Sequence, residues 1–147
     1  MNPTQLSTPS LLLDIDRLHA NIARMQASAD RLGVRLRPHL KTLKSARAAE
    51  ALIAAGAHGI TVSTLAEARF YQKAGFENIT YAFPITANKL KQAAELTAGL
   101  PVFNLLLDQP QTLSAVAAYA REHGIRFNVF LKVDCGYHRA GIDPSQP

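Results

Sequence analysis

The chain has 147 residues, of which 48% are apolar and 18% are charged, and it contains a single cysteine. This composition is typical of one globular domain, and a lone Cys135 cannot form an internal disulfide, so we expect a reducing, cytoplasmic compartment. The apolar stretches are far shorter than the ~20 residues that a membrane span needs. The formal net charge of +5 is not gathered into basic runs or interleaved with aromatic residues. We therefore expect neither a membrane nor a nucleic acid as a partner.

Short apolar or alternating runs predict five strands, at 35–40, 59–63, 79–82, 102–106 and 126–133. Helical periodicity predicts five helices, at about 17–32, 44–55, 65–74, 87–98 and 110–123. Asp16 is placed to cap the first helix and Gly33 to end it. Strands and helices therefore alternate along most of the chain.

The successive strand starts are separated by 24, 20, 23 and 24 residues, which is a βα repeat and predicts a parallel sheet. An open doubly wound sheet and a (β/α)8 barrel both fit this spacing. No G-x-G-x-x-G follows the first strand, which removes the main support for a dinucleotide-binding unit. Because a complete barrel takes about 250 residues, we favour a partial (β/α)8 TIM-type barrel with about five βα units present and the remainder missing.

The most unusual segment is 35–44, which reads RLRPHLKTLK. Strand alternation puts four basic side chains on one face, those of Arg35, Arg37, His39 and Lys41. Buried cations are costly without a partner, so we expect an anion such as a phosphate or carboxylate beside this face. Lys41 lies at the carboxyl end of the strand, where active sites collect, and clustered cations with partial burial would favour a neutral amine that can form a Schiff base. A solvated basic edge explains the same alternation, and the pattern alone leaves both interpretations open.

Three segments together resemble a known family: 8–14 (TPSLLLD), 17–22 (RLHANI) and 37–42 (RPHLKT). They are similar to the D-threonine aldolase / D-serine dehydratase branch of the pyridoxal-phosphate enzymes with the alanine racemase N-terminal-domain fold (fold type III). That branch carries R-P-H-x-K-[TA]-H-K, whose first lysine forms the internal aldimine. The resemblance implies this role for Lys41 and a part in shaping the pocket for His39. Leu43 departs from the pattern, because the branch usually has His there.

A second segment, 131–141 (LKVDCGYHRAG), is similar to the family's strand-end motif V-D-x-G-x-x-R-x-G. The arginine of that motif contacts the phenolic oxygen of the cofactor, which implies the same contact for Arg139. A planar, permanent cation is suited to stabilising a phenolate. An ordinary loop arginine is the alternative for Arg139 when the motif is taken by itself.

The resemblance implies a pyridoxal-phosphate-dependent lyase that acts on D-β-hydroxy amino acids through a Lys41 aldimine, by dehydration or by aldol cleavage. It further implies that residues 1–147 are the N-terminal part of the barrel domain, and that a C-terminal β domain is absent from this chain. A divalent metal (Zn or Mn) is expected in the full-length family with ligands outside this chain, as is a homodimer. We predict that the 147-residue piece alone is inactive.

Three other functions remain open at the level of sequence. An amino-acid racemase would interconvert enantiomers without releasing ammonia or an aldehyde. A noncatalytic pyridoxal-phosphate-binding protein could use the same barrel. A binding or structural α/β module without a cofactor would leave Lys41 solvated.

Overall fold

A computed structural model describes residue 2 and residues 5–145 of the chain. Two helices come first, and strands and helices alternate after them, in the order α1 (Ile15–Arg31), α2 (Ala46–Ala54), β1 (Ile60–Val62), α3 (Leu65–Lys73), β2 (Asn78–Pro84), α4 (Leu90–Gly99), β3 (Val102–Leu107), α5 (Pro110–His123) and β4 (Asn128–Leu131). A short 3-10 turn, Ala87–Lys89, leads into α4. All five predicted helices are present, and α5 has the predicted limits.

The four strands form one sheet in the order β1-β2-β3-β4, and every neighbouring pair is parallel. The prediction of a parallel α/β sheet is therefore confirmed. The first predicted strand, 35–40, was wrong as a full strand: it contributes a single bridge, between His39 and Thr61. Backbone bonds join it to the edge of β1, but Pro38 has no N–H with which to extend the ladder.

The register gives the two faces of the sheet different chemistry. Residues paired across a parallel sheet share a face, and one such row is polar throughout: His39, Thr61, Thr80, Asn104 and Asn128. Within this row the Asn104 side-chain amide donates to Thr80 Oγ1 at 3.0 Å. The adjacent row, Ile60, Ile79 and Phe103, is buried and belongs to the apolar core. Helices therefore cover the apolar face, and the segment that carries His39 contributes to the polar one.

Helix caps follow the sequence with one correction. Asp14, and not Asp16, caps α1: its carboxylate accepts the Arg17 N–H at 3.0 Å. The helix begins two residues earlier than predicted, so Asp16 falls inside its first turn. Gly33 follows the helix with φ at +65°, as a left-handed terminator does.

The outer edge of the sheet is β4, whose four residues are all exposed. Among them Phe130 is 50% and Leu131 is 60% exposed. None of the helices in the described part of the chain combines the length and apolar character needed to cross a membrane.

Candidate active site

Lys41 lies in a tight turn at the carboxyl end of the segment that pairs with β1. The carbonyl of the buried Leu40 accepts the N–H groups of Leu43 and Lys44, at 3.1 Å and 3.0 Å. Lys44 closes the turn with φ at +44°, a left-handed conformation that is uncommon for a residue with a side chain. Lys41 is exposed, which corrects the expected partial burial. Among the described residues its ammonium has neither a hydrogen-bond nor an ion-pair partner, so the amine is open to a ligand.

His39 contacts both Lys41 and β1. Its Nδ1 accepts the backbone N–H of Lys41 at 3.2 Å, and its Nε2 lies 3.3 Å from the Ser63 hydroxyl. Burial lowers the pKa of His39, and the charge of Lys41 lowers it further, whereas Glu67 opposes the shift. His39 is therefore neutral at pH 7.

Glu67, in the first turn of α3, links the start of that helix to the Lys41 turn. One carboxylate oxygen accepts the Ser63 N–H at 2.8 Å, and the other lies 3.6 Å from the Lys44 ammonium. Thr64 caps α3 by accepting the Glu67 N–H at 3.0 Å. The Glu67 carboxylate therefore connects the residue before the helix cap to the residue that ends the Lys41 turn.

Arg139 lies in a loop after β4, at the same carboxyl edge of the sheet as Lys41. Asp134 Oδ1 accepts the backbone N–H groups of Gly136, Tyr137 and His138, each at 3.0 Å. These bonds, with the His138 N–H contributing most, hold the pKa of Asp134 below its ordinary value of 3.8. The exposed Arg139 guanidinium stacks over the Tyr137 ring, 5.3 Å from its centroid.

Steric constraints explain why glycines occupy two positions of this loop. Gly136 and Gly141 both have positive φ, at +105° and +119°. A Cβ on Gly141 would lie 2.6 Å from the backbone nitrogen of Asp134. Only glycine therefore allows the loop to return against β4.

The two arginines of the basic segment contact polar side chains of this chain, and the anion expected beside this face stays a prediction. The Arg37 guanidinium donates to the side-chain oxygen of Asn78 at 2.7 Å, and Arg35 lies 3.2 Å from the His58 ring. Both partners are at the amino ends of the strands, away from Lys41. The alternating basic residues therefore have two locations. The two arginines hold the segment in place at the amino ends of the strands, and the histidine and the lysine lie at the carboxyl ends.

A cleft of about 540 Å³ opens beside Ser63, between α3 and the start of α4. The Lys89 ammonium there contacts the hydroxyl of the buried Tyr81 at 3.2 Å. Tyr81 therefore packs on the helix side of the sheet rather than beside Lys41. No three His, Cys, Asp or Glu side chains in the described part of the chain are grouped to hold a metal ion.

The chain is similar to known proteins in sequence and in structure. Residues 13–147 match the family described as "Alanine racemase, N-terminal domain", and the chain belongs to that family. It is 45% identical over 137 residues to D-threo-3-hydroxyaspartate dehydratase of Delftia sp. (strain HT23), which covers 93% of this chain and 36% of the relative. It is 38% identical to D-serine dehydratase of Dictyostelium discoideum, over 95% of this chain and 37% of the relative.

Solved structures agree with the sequence relatives. The Delftia dehydratase superimposes with a TM-score of 0.92, over 95% of this chain and 37% of that one, and a cysteine variant of it was solved in a metal-free form. D-threonine aldolase from Filomicrobium marinum gives a TM-score of 0.88 at 27% identity, over 96% of this chain and 38% of that one. The predicted family and the partial TIM-barrel-like fold are confirmed. The chain spans just over a third of the length of these relatives.

Proposed function

We propose that the Lys41 amine binds pyridoxal phosphate covalently. The observation that carries this proposal is the exposed, unpaired ammonium of Lys41 on a hydrogen-bonded turn at the carboxyl edge of a parallel sheet. A primary amine that is free of carboxylate partners keeps its capacity to attack an aldehyde.

The remaining groups at this edge fit the same cofactor. The Arg139 guanidinium is exposed and contacts only the face of Tyr137 among the described residues, so its N–H donors remain available to an oxygen anion. A phenolate oxygen is a suitable acceptor for such a planar cation. The role of Arg139 is to bind this oxygen, and that of His39 is to shape the pocket around Lys41.

The proposed reaction is lyase chemistry on a D-amino acid with a β-hydroxyl group. Bound pyridoxal phosphate supplies an electron sink for the breaking of a bond at Cα. The relatives support this substrate class, since their names describe dehydration or aldol cleavage of D-hydroxy amino acids. Because the chain spans about a third of those relatives, catalysis, the divalent metal and a homodimer are proposed for the whole protein, and the 147-residue piece is proposed to be inactive alone.

Titration of the chain with pyridoxal phosphate tests the covalent link. We expect a visible absorption band that saturates with the wild-type chain and is absent from Lys41→Ala. Lys91→Ala is the matched control, because Lys91 is an exposed lysine on α4 away from the turn. A band of equal intensity in Lys41→Ala would contradict the proposal. So would the loss of the band in both variants.

A further inference from the structure

A chain of hydrogen bonds fixes the backbone beneath Lys41. A backbone N–H can only donate, so the 3.2 Å contact from Lys41 requires Nδ1 of His39 to be an acceptor without a proton. In neutral histidine the proton is then on Nε2, which faces the Ser63 oxygen at 3.3 Å. The arrangement therefore selects one tautomer and one charge state.

We propose that His39 is a positioning residue for Lys41, acting as the neutral Nε2–H tautomer that Ser63 holds in place. This inference rests on the proposed function, since the position of the turn matters to the reaction only if Lys41 is the group that reacts. His39 is assigned no contact with the reacting atoms. It acts through the Lys41 backbone.

Glu67 secures the same turn from the other side. Its carboxylate is only 16% exposed, holds the Ser63 backbone and pairs with Lys44, which closes the turn. One acidic side chain thus connects the residue that orients His39 to the residue that ends the turn. The left-handed backbone of Lys44 is held by this contact together with its N–H bond to Leu40.

Protonation of His39 would release the turn. A second ring proton on Nδ1 would face the Lys41 N–H donor, and two donors cannot bond. The charged groups facing His39 are Lys41 on its own turn, which disfavours protonation, and Glu67 on α3, which favours it. Burial and the charge of Lys41 both lower the pKa of His39 from its ordinary value of 6.5. The turn is therefore released at a pH below 6.5.

Nuclear magnetic resonance of the 147-residue chain, without any cofactor, tests this directly. We expect long-range nitrogen–proton correlations to show His39 protonated on Nε2 only at pH 7.5. We also expect the Lys41 amide to be protected there, meaning that it exchanges more slowly than its intrinsic rate at that pH, and to lose this protection as the pH falls through the His39 titration. In His39→Ala the exchange should accelerate about fivefold, the factor that corresponds to one net hydrogen bond.

His39→Asn is the conservative rescue. An asparagine side chain can accept the N–H two residues later, as in an Asx turn, but it does not titrate. We expect His39→Asn to restore the protection of the Lys41 amide and to make that protection independent of pH. His58→Asn, at the opposite edge of the sheet, is the matched control and should leave both unchanged. If His39→Ala is poorly folded, Ser63→Ala supplies the test, because it frees the ring but leaves the Thr64 cap intact.

The outcomes separate this inference from the proposed function. A proton on Nδ1 at pH 7.5, or Lys41 exchange that is unchanged in His39→Ala and in Ser63→Ala, would overturn the inference, whatever the cofactor does. The expected exchange pattern in a chain that pyridoxal phosphate does not modify would support the inference and contradict the proposed function. If pyridoxal phosphate does modify the chain, the rate of covalent attachment to the wild-type chain should change as the pH passes through the His39 titration. The rate for His39→Asn should not show this change.

Discussion

Asp134 determines the conformation of the loop that presents Arg139. One of its carboxylate oxygens gathers three successive backbone N–H groups, and the other lies 3.2 Å from the His138 ring. Each donor favours the ionised carboxylate, which is why its pKa lies below 3.8. A group whose pKa is depressed by folding stabilises the folded loop above its ordinary pKa, and this contribution is lost as the pH falls through the folded value.

We therefore predict that acid opens this loop as the pH falls below 3.8. The protection of the Gly136 and Tyr137 amides, measured as the exchange rate relative to the intrinsic rate at each pH, should be lost as the pH falls through the Asp134 titration. Asp134→Asn keeps an acceptor oxygen but does not titrate, so its protection should not change over that range, whereas Asp134→Ala should be unprotected at every pH. Equal acid dependence in the wild-type and Asp134→Asn chains would refute the assignment.

At this scale the sequence indicated candidate site residues but not the contacts that hold them. Lys41 and Arg139 are candidates because each belongs to a motif with several fixed positions. Asp134 was part of the second motif, yet its role depends on a loop that curls back over one oxygen, and residue spacing does not report that path. The contact between Glu67 and Lys44 likewise depends on the left-handed turn at Lys44, which has no glycine to indicate it.

The start of α1 shows how far local patterns specify an element. Asp14 and Asp16 are both suitable capping residues two positions apart, and the apolar periodicity does not choose between them. The structure selects Asp14, whose carboxylate accepts the Arg17 N–H and also pairs with the Arg17 side chain at 3.3 Å.

Asp14→Ala should reduce the free energy of unfolding by about 1 kcal/mol, the usual cost of losing an N-cap. Asp16→Ala is the matched control. It removes only a favourable charge from the exposed first helical turn, so the expected loss is smaller, about 0.3 kcal/mol. Urea denaturation of the three chains measures the difference. An equal or larger loss in Asp16→Ala would contradict Asp14 as the cap.

The first predicted strand was expected to be longer than it is. Alternation from 35 to 40 predicted a regular strand, but the backbone there forms only a single bridge because proline interrupts its donors. The alternation was real, since His39 does share a face with Thr61. The spacing of the side chains correctly predicted which face His39 shares. It did not predict the length of the strand, which is limited by the missing N–H of the proline.

At the scale of the whole molecule, the sheet has an exposed edge. Residue spacing was sufficient to predict parallel pairing, because each return to the sheet requires a crossover helix. The core of the sheet is fully buried, with Ile60, Ile79 and Leu105 at 0% exposure, whereas β4 is an exposed edge with apolar side chains. Exposed edges of this kind favour association between chains.

We predict that Phe130→Lys reduces the self-association of the 147-residue chain. Phe130 is 50% exposed on the edge strand, and a lysine there opposes pairing of edges. Phe70→Lys is the matched control, because Phe70 is 49% exposed but lies on a helix. Sedimentation velocity across a range of concentrations should show less association in Phe130→Lys than in wild type, with Phe70→Lys close to wild type. The reverse order would contradict the edge as the associating surface.

The most direct measurement is the mapping of the residue that pyridoxal phosphate modifies. The chain is incubated with pyridoxal phosphate, reduced with borohydride and digested, and the peptides are sequenced by mass spectrometry. We expect a pyridoxyl group on Lys41, with little on the nearby Lys44 or on exposed lysines such as Lys91. Modification spread evenly over the surface lysines, or concentrated on a lysine other than Lys41, would contradict it.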